Sequence, residues 1–144
     1  MAVLELRRRF DAPRERVFAA WTDPKLLRRW WAAVHGWETS RAEVDLRPGG
    51  RYRLSMRDGD AEYTVAGEYV EVVPPERLAY TWTWEGDAEL MQGSEGTFVT
   101  VEFLGDGDGT QVVLTHAGFG GERIRDLHHE GWAGCLANLE GVLE

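Results

Sequence analysis

Two histidines stand where acid–base chemistry could be done. His116 follows Val112 and Leu114 on the apolar side of an alternating run, and His128 falls on the apolar stripe of a later segment with three- and four-residue spacing. Imidazole titrates near neutral pH, so a pair in one cavity could protonate and deprotonate a ketone or an enol. A core histidine with its hydrogen bonds satisfied internally leaves the same trace, and the sequence does not separate the two. His128-His129-Glu130 does not make a metal site, because neighbouring helical residues point about 100° apart and no further histidine or cysteine lies at ligand spacing. No metal and no cofactor are expected.

The other candidates are carboxylates, one arginine and one thiol. Glu68 or Glu71, if turned inward, would carry a raised pKa and could act as an acid; a solvated strand face accommodates both. Arg8 shares a face with Leu4, Leu6 and Phe10, and could pair a ligand carboxylate or an internal one. Asp106-Gly107-Asp108-Gly109 opens like a calcium loop but lacks the later ligands and the closing glutamate, so a hairpin turn is expected. Cys135, the single cysteine, excludes an internal disulfide and reads as a small buried hydrophobe. No Ser/His/Asp arrangement and no glycine-rich nucleotide loop is present.

The elements that must position these groups follow from the rest of the chain. Its 144 residues suit one domain spanning 1–144, and no apolar run approaches the ~20 residues of a membrane span. None opens the chain as a signal peptide, so a cytoplasmic protein is expected. The net charge of −9 argues against nucleic acid as a partner. It also hides an asymmetry, residues 1–57 being net basic and 58–144 strongly acidic.

Leu4, Leu6, Arg8 and Phe10 alternate with Val3, Glu5, Arg7 and Arg9 as a first strand. Asp11-Ala12-Pro13 and Thr22-Asp23-Pro24 are two helix starts, predicting short helices over Arg14–Ala20 and Lys25–Trp31, the first capped from Asp11-Ala12-Pro13. From about Trp37 to His116 the pattern is period two, with strands over Arg51–Arg57, Tyr63–Val73, Leu78–Trp84, Thr97–Leu104 and Thr110–His116. Gly67 suggests a bulge. Glu85–Gly96, carrying Leu90 and Met91, is a loop that could serve as a lid. Ile124, His128, Trp132, Cys135, Leu136, Leu139, Val142 and Leu143 then define an amphipathic helix over Glu122–Leu143, about 33 Å long.

One long helix cannot fill the concave face of a curved antiparallel sheet, so the pattern leaves an apolar gap. Tyr52, Met56, Tyr80, Trp82, Trp84, His116, Phe119, His128 and Trp132 are expected to line it. Seven tryptophans are enough either to fill the gap or to wall a pocket with a few polar groups.

The turn and core strings carry a resemblance. Phe10-Asp11-Ala12-Pro13, Val17-Phe18-Ala19-Ala20-Trp21-Thr22-Asp23-Pro24, Arg29-Trp30-Trp31, Asp45-Leu46-Arg47-Pro48-Gly49-Gly50, Gly67-Glu68-Tyr69, Pro74-Pro75-Glu76-Arg77-Leu78, Tyr80-Thr81-Trp82 and Gly131-Trp132 are similar to the family of the C-terminal domain of the heat-shock protein 90 ATPase activator, in the START-like (SRPBCC) superfamily. The resemblance implies an α+β helix-grip fold: a curved antiparallel sheet of six to seven strands around a long C-terminal helix, with two short helices after strand one. It brings no catalytic motif. Ala32-Ala33-Val34 stands where relatives continue with Gly-Pro.

Three functions follow as expectations. The first is binding of a small hydrophobic or amphipathic molecule between sheet and helix, with Tyr80, His116 or His128 orienting a polar end. The second is a cyclase- or dehydratase-like enzyme using histidine or glutamate in the same pocket. The third is a protein-interaction module related to chaperone activation, docking a protein partner through the acidic surface and the Glu85–Gly96 loop. A homodimer is expected from the aromatic-rich composition.

Overall fold

The computed structural model describes residues 2–32, 34, 36–86 and 92–143. The chain runs β1 (Ala2–Phe10), α1 (Arg14–Thr22), α2 (Pro24–Leu27), β2 (Glu38–Val44), β3 (Arg51–Asp58), β4 (Ala61–Val73), β5 (Arg77–Trp84), β6 (Thr97–Asp106), β7 (Gly109–Phe119) and α3 (Glu122–Leu143). The seven strands form one antiparallel sheet in the order β1-β7-β6-β5-β4-β3-β2. The α+β helix-grip architecture is thus present. The sheet curls around α3, whose buried face is Ile124, His128, Trp132, Cys135, Leu136, Leu139 and Leu143. Strand alternation supplies the opposing wall: Val99, Val101, Phe103, Val112 and Leu114 are fully buried on the concave side.

Several local expectations are corrected. Asp11 does not cap α1; Pro13 holds the cap position without a side-chain bond, and the Asp11 carboxylate accepts from Arg9 instead. Asp23 does cap α2, accepting from the Lys25 N–H at 2.9 Å. Helix α2 ends at Leu27 rather than Trp31. Trp30 and Trp31, beyond its end, are both buried. The Trp30 N–H of the indole donates to Ala20 O at 2.8 Å, while Thr39 and Asn138 both donate to carbonyls of this segment. Strand β7 runs past His116 to Phe119, paired with β1 and β6.

Gly67 is not a bulge. The β4–β5 ladder keeps register across it and shifts only between Tyr69 and Glu71. Gly67 serves close approach: a Cβ there would lie 2.0 Å from Thr81 O and 2.8 Å from Tyr52 Cε1. The bare backbone lets the Tyr52 ring pass and donate its hydroxyl to Thr81 O. Gly67→Ala is therefore expected to destabilise the protein by about 2–3 kcal/mol through overpacking, read as a lower urea midpoint. An unchanged midpoint would sink this account of the residue.

Candidate functional site

The space between sheet and helices divides into two ends along the same strands. At one end α1 and α2 close over Tyr52 on β3, Tyr69 on β4 and Tyr80 on β5. These rings pack edge to face or tilted, with centroids 5.2–5.9 Å apart. Together with Trp21, Leu27, Trp31 and Leu54 they leave a void of only about 10 Å³. Trp21 donates weakly to the Tyr80 hydroxyl at 3.4 Å. Burial pushes the hydroxyl pKa of all three tyrosines well above its ordinary value.

At the other end the same strands present Met56, Tyr63, Trp82 and Trp84, with no helix pressed onto them from α1 and α2. Here a cavity of about 380 Å³ remains, lined also by Trp31, Val34, Trp37, Leu127, His128, Glu130, Gly131, Trp132 and Cys135. Val34, Leu127 and Glu130 are exposed and mark its mouth. Trp37 and Tyr63 stack nearly parallel, with centroids 5.7 Å apart. Trp82 is the hub of the floor, with Trp84 at 5.4 Å, Trp132 at 5.2 Å and Trp31 at 6.2 Å between centroids.

Five of the nine residues expected to line a site therefore surround this cavity: Met56, Trp82, Trp84, His128 and Trp132. Tyr52 and Tyr80 belong to the filled end. His116 and Phe119 are fully buried behind the cavity wall, with ring centroids 4.4 Å apart. Three further rings of the lining, Trp31, Trp37 and Tyr63, are not among the nine. Tyr63 had a signal, since it alternates inward with Val65, Gly67 and Tyr69; Trp37 precedes β2 and carries no periodic mark.

The hydrogen bonds order both histidines. An indole N–H can only donate. Trp132 Nε1 lies 3.1 Å from His116 Nδ1, so that nitrogen is an acceptor and the proton sits on Nε2. His116 Nε2 then donates to Thr97 Oγ1 at 2.7 Å, and the Thr97 hydroxyl donates in turn to Ser94 O at 2.9 Å. His128 takes the opposite tautomer. Its Nε2 accepts from Trp84 Nε1 at 2.9 Å, and its Nδ1 donates to Ile124 O at 2.9 Å. Protonating either ring would break an indole bond inside an apolar shell. Burial, with a smaller contribution from His128, lowers the His116 pKa to about 2. Burial likewise lowers that of His128, against the pull of the Ile124 carbonyl.

The remaining candidates lie elsewhere. Glu68 is exposed, and Glu71 pairs with Arg77 at 2.8 Å on the outer face. Arg8 closes on Glu140 of α3 and sits over the Phe10 ring. Asp106 and Asp108 belong to the β6–β7 hairpin turn, Asp106 accepting from Arg9 at 3.0 Å. Burial pushes the Cys135 thiol up to about 12, which leaves it protonated and unreactive. The centre of the Glu85–Gly96 loop, with Leu90 and Met91, falls outside the described residues. Among the described residues no helix is long and apolar enough to cross a membrane, and no three His, Cys, Asp or Glu side chains converge on a point.

Comparison with known proteins bears on the fold around this cavity. A family model described as Activator of Hsp90 ATPase homolog 1-like protein matches residues 11–144. Protein CV1439 from Chromobacterium violaceum superposes with a TM-score of 0.85 at 26% identity, over 99% of this chain and 96% of that one. An AHSA1-like protein from Aeromonas hydrophila gives 0.80 at 28% identity, over 98% and 91%. CalU16 from Micromonospora echinospora gives 0.73 at 29% identity, over 99% and 76%. No curated protein matches the sequence.

Proposed function

The chain belongs to the Activator of Hsp90 ATPase homolog 1-like family, of START-like fold, and on that premise we propose that it binds one small apolar or amphipathic molecule in the cavity between the sheet and α3. One observation carries the reading. The core fills its tyrosine end to within about 10 Å³, yet leaves about 380 Å³ open a few residues along the same strands. Large rings were available to fill that space and instead wall it. Apolar ligand surface removed from water there supplies ~25 cal/mol per Å².

The acid–base alternative asks more of the site. Among the described residues His128 is the one histidine at the cavity wall, and its basic nitrogen already accepts a hydrogen bond from the Trp84 N–H. To take a proton from a substrate it must release that bond and charge inside an apolar wall.

The neutral dye N-phenyl-1-naphthylamine tests the reading. It is expected to bind saturably at one per chain, with enhanced dye emission and quenched tryptophan emission. Trp84→Ala, which removes a half-buried wall and the His128 donor, is expected to weaken it about tenfold, the equivalent of ~1.4 kcal/mol. Dye binding that is unsaturable, or indifferent to Trp84→Ala, would overturn the site. Native mass spectrometry of freshly purified protein, compared with the denatured sample, then reads any retained molecule directly.

A further inference from the structure

If the cavity is a binding site as proposed above, its charge character narrows the occupant. The floor is Trp82, Trp84 and Trp132, and none of their N–H groups is open to a ligand. Trp84 donates to His128 and Trp132 to His116. The Trp82 N–H is sealed from solvent and, among the described residues, has no acceptor. The imidazole of His128 on the wall has both nitrogens engaged, and among the described residues no lysine or arginine lines the space.

Among the described residues the single formal charge on the lining is the carboxylate of Glu130 at the mouth. Among the described residues Glu130 forms no ion pair, whereas Glu38, Glu85 and Glu140 each close on an arginine. The floor therefore presents tryptophan rings whose donors are closed to a ligand, and the rim carries one anion that has no ion pair among the described residues.

We infer that the cavity takes a hydrophobic organic cation, an amine or quaternary ammonium whose apolar body lies on the tryptophan rings and whose charge is held by the rings and Glu130. Aromatic faces attract cations through their quadrupole, tryptophan most strongly. A carboxylate or phosphate on the ligand would meet Glu130 and a chain of net charge −9, with no indole donor on the floor to receive it. A neutral molecule of the same shape gains the apolar burial alone.

An isosteric series tests this. Trimethyl(2-phenoxyethyl)ammonium, the neutral 3,3-dimethylbutyl phenyl ether, and phenoxyacetate share a phenoxy body and differ in charge. They are titrated into the intact protein by tryptophan fluorescence, alongside the neutral dye. The cation is expected to bind about tenfold more tightly than the ether, with phenoxyacetate the weakest. Glu130→Gln is expected to weaken the cation two- to threefold, as befits an exposed charge, and to leave the ether unchanged. An ether that binds as tightly as the cation overturns the inference while the dye still supports the cavity. A cation indifferent to Glu130→Gln removes the carboxylate from the site. If neither dye, cation nor ether binds, the cavity reading falls together with the inference built on it.

Discussion

Replacing Trp132 with alanine is expected to lower the free energy of unfolding by about 3–5 kcal/mol, the range for deleting a large buried aromatic, and to weaken any cavity ligand at the same time. Trp132 is 3% exposed. Its ring lies between Trp82 at 5.2 Å and Trp21 at 6.2 Å, so it joins the floor of the cavity to the aromatic packing under α1. Its N–H is also the only donor among the described residues that reaches His116 Nδ1. Two variants separate these roles. Trp132→Phe keeps an aromatic ring but leaves a buried imidazole nitrogen unsatisfied, which costs about 1–3 kcal/mol. Trp132→Ala adds the cavity. Chemical denaturation of the pair should rank wild type above Trp132→Phe above Trp132→Ala. Trp132→Phe as stable as wild type would remove the His116 bond from the account, and Trp132→Ala with undiminished ligand affinity would move the site elsewhere.

The second large effect is loss of stability in mild acid. His116 and His128 are neutral in the fold, with pKa values lowered by burial. In the unfolded chain each binds a proton below about pH 6.5. The unfolded state thus holds more protons on the acid side, and linkage makes stability fall as pH drops. The contribution is fully present above about pH 6.5 and is lost below it at ~1.4 kcal/mol per pH unit for each histidine, until its folded pKa is reached. For His116, with a folded value of about 2, this amounts to about 2 kcal/mol between pH 7 and pH 5. His128 adds to it in the same direction. The clean measurement is a difference of differences. His116→Gln is destabilised at every pH, but its loss between pH 7 and pH 5 should be about 2 kcal/mol smaller than that of wild type, since the carboxylates common to both cancel. Equal losses would contradict a neutral His116.

Much of this architecture is legible from residue spacing alone, and the exceptions have physical reasons. Helix α3 follows from its seven buried positions and begins and ends where its periodicity does, at Glu122 and Leu143. Strands β3, β5, β6 and β7 follow from clean alternation, because one face meets the core and the other meets water. Helix α2 is shorter than its pattern, and the segment that follows it is held by tertiary bonds of the Trp30 indole to Ala20 O and of Thr39 and Asn138 to the Trp31 and Ala32 carbonyls, which residue spacing does not show. Gly67 reads as a bulge in the sequence because a bulge and a close backbone approach leave the same mark there. The inward direction of Tyr52, Tyr80, Trp82 and Trp84 can be read from period two. Which of them meets open space cannot, since that depends on how far α1 and α2 reach across the sheet. The boundary falls between Tyr80 and Trp82, two residues apart on one strand. His116 illustrates the same limit in polar terms: alternation places it inward, but its tautomer depends on Trp132 and Thr97, distant in the chain.

The division of the interior into a sealed end and an open end has an evolutionary consequence. Both ends hang on the same strands, yet the tyrosine end and the fully buried aliphatic side chains hold the sheet to its helices without help from the cavity rim. Met56, Tyr63, Leu127 and Trp37 sit at that rim or on its walls, where exchange of one side chain for another reshapes the vacant volume more than it disturbs the packed half. Such an arrangement lets descendants of one scaffold drift toward different guests while selection for folding acts mainly on the other half, so the residues worth comparing between cousins of this chain are the lining positions outside the strings by which the kinship is recognised, Trp37, Met56, Tyr63 and Leu127 among them.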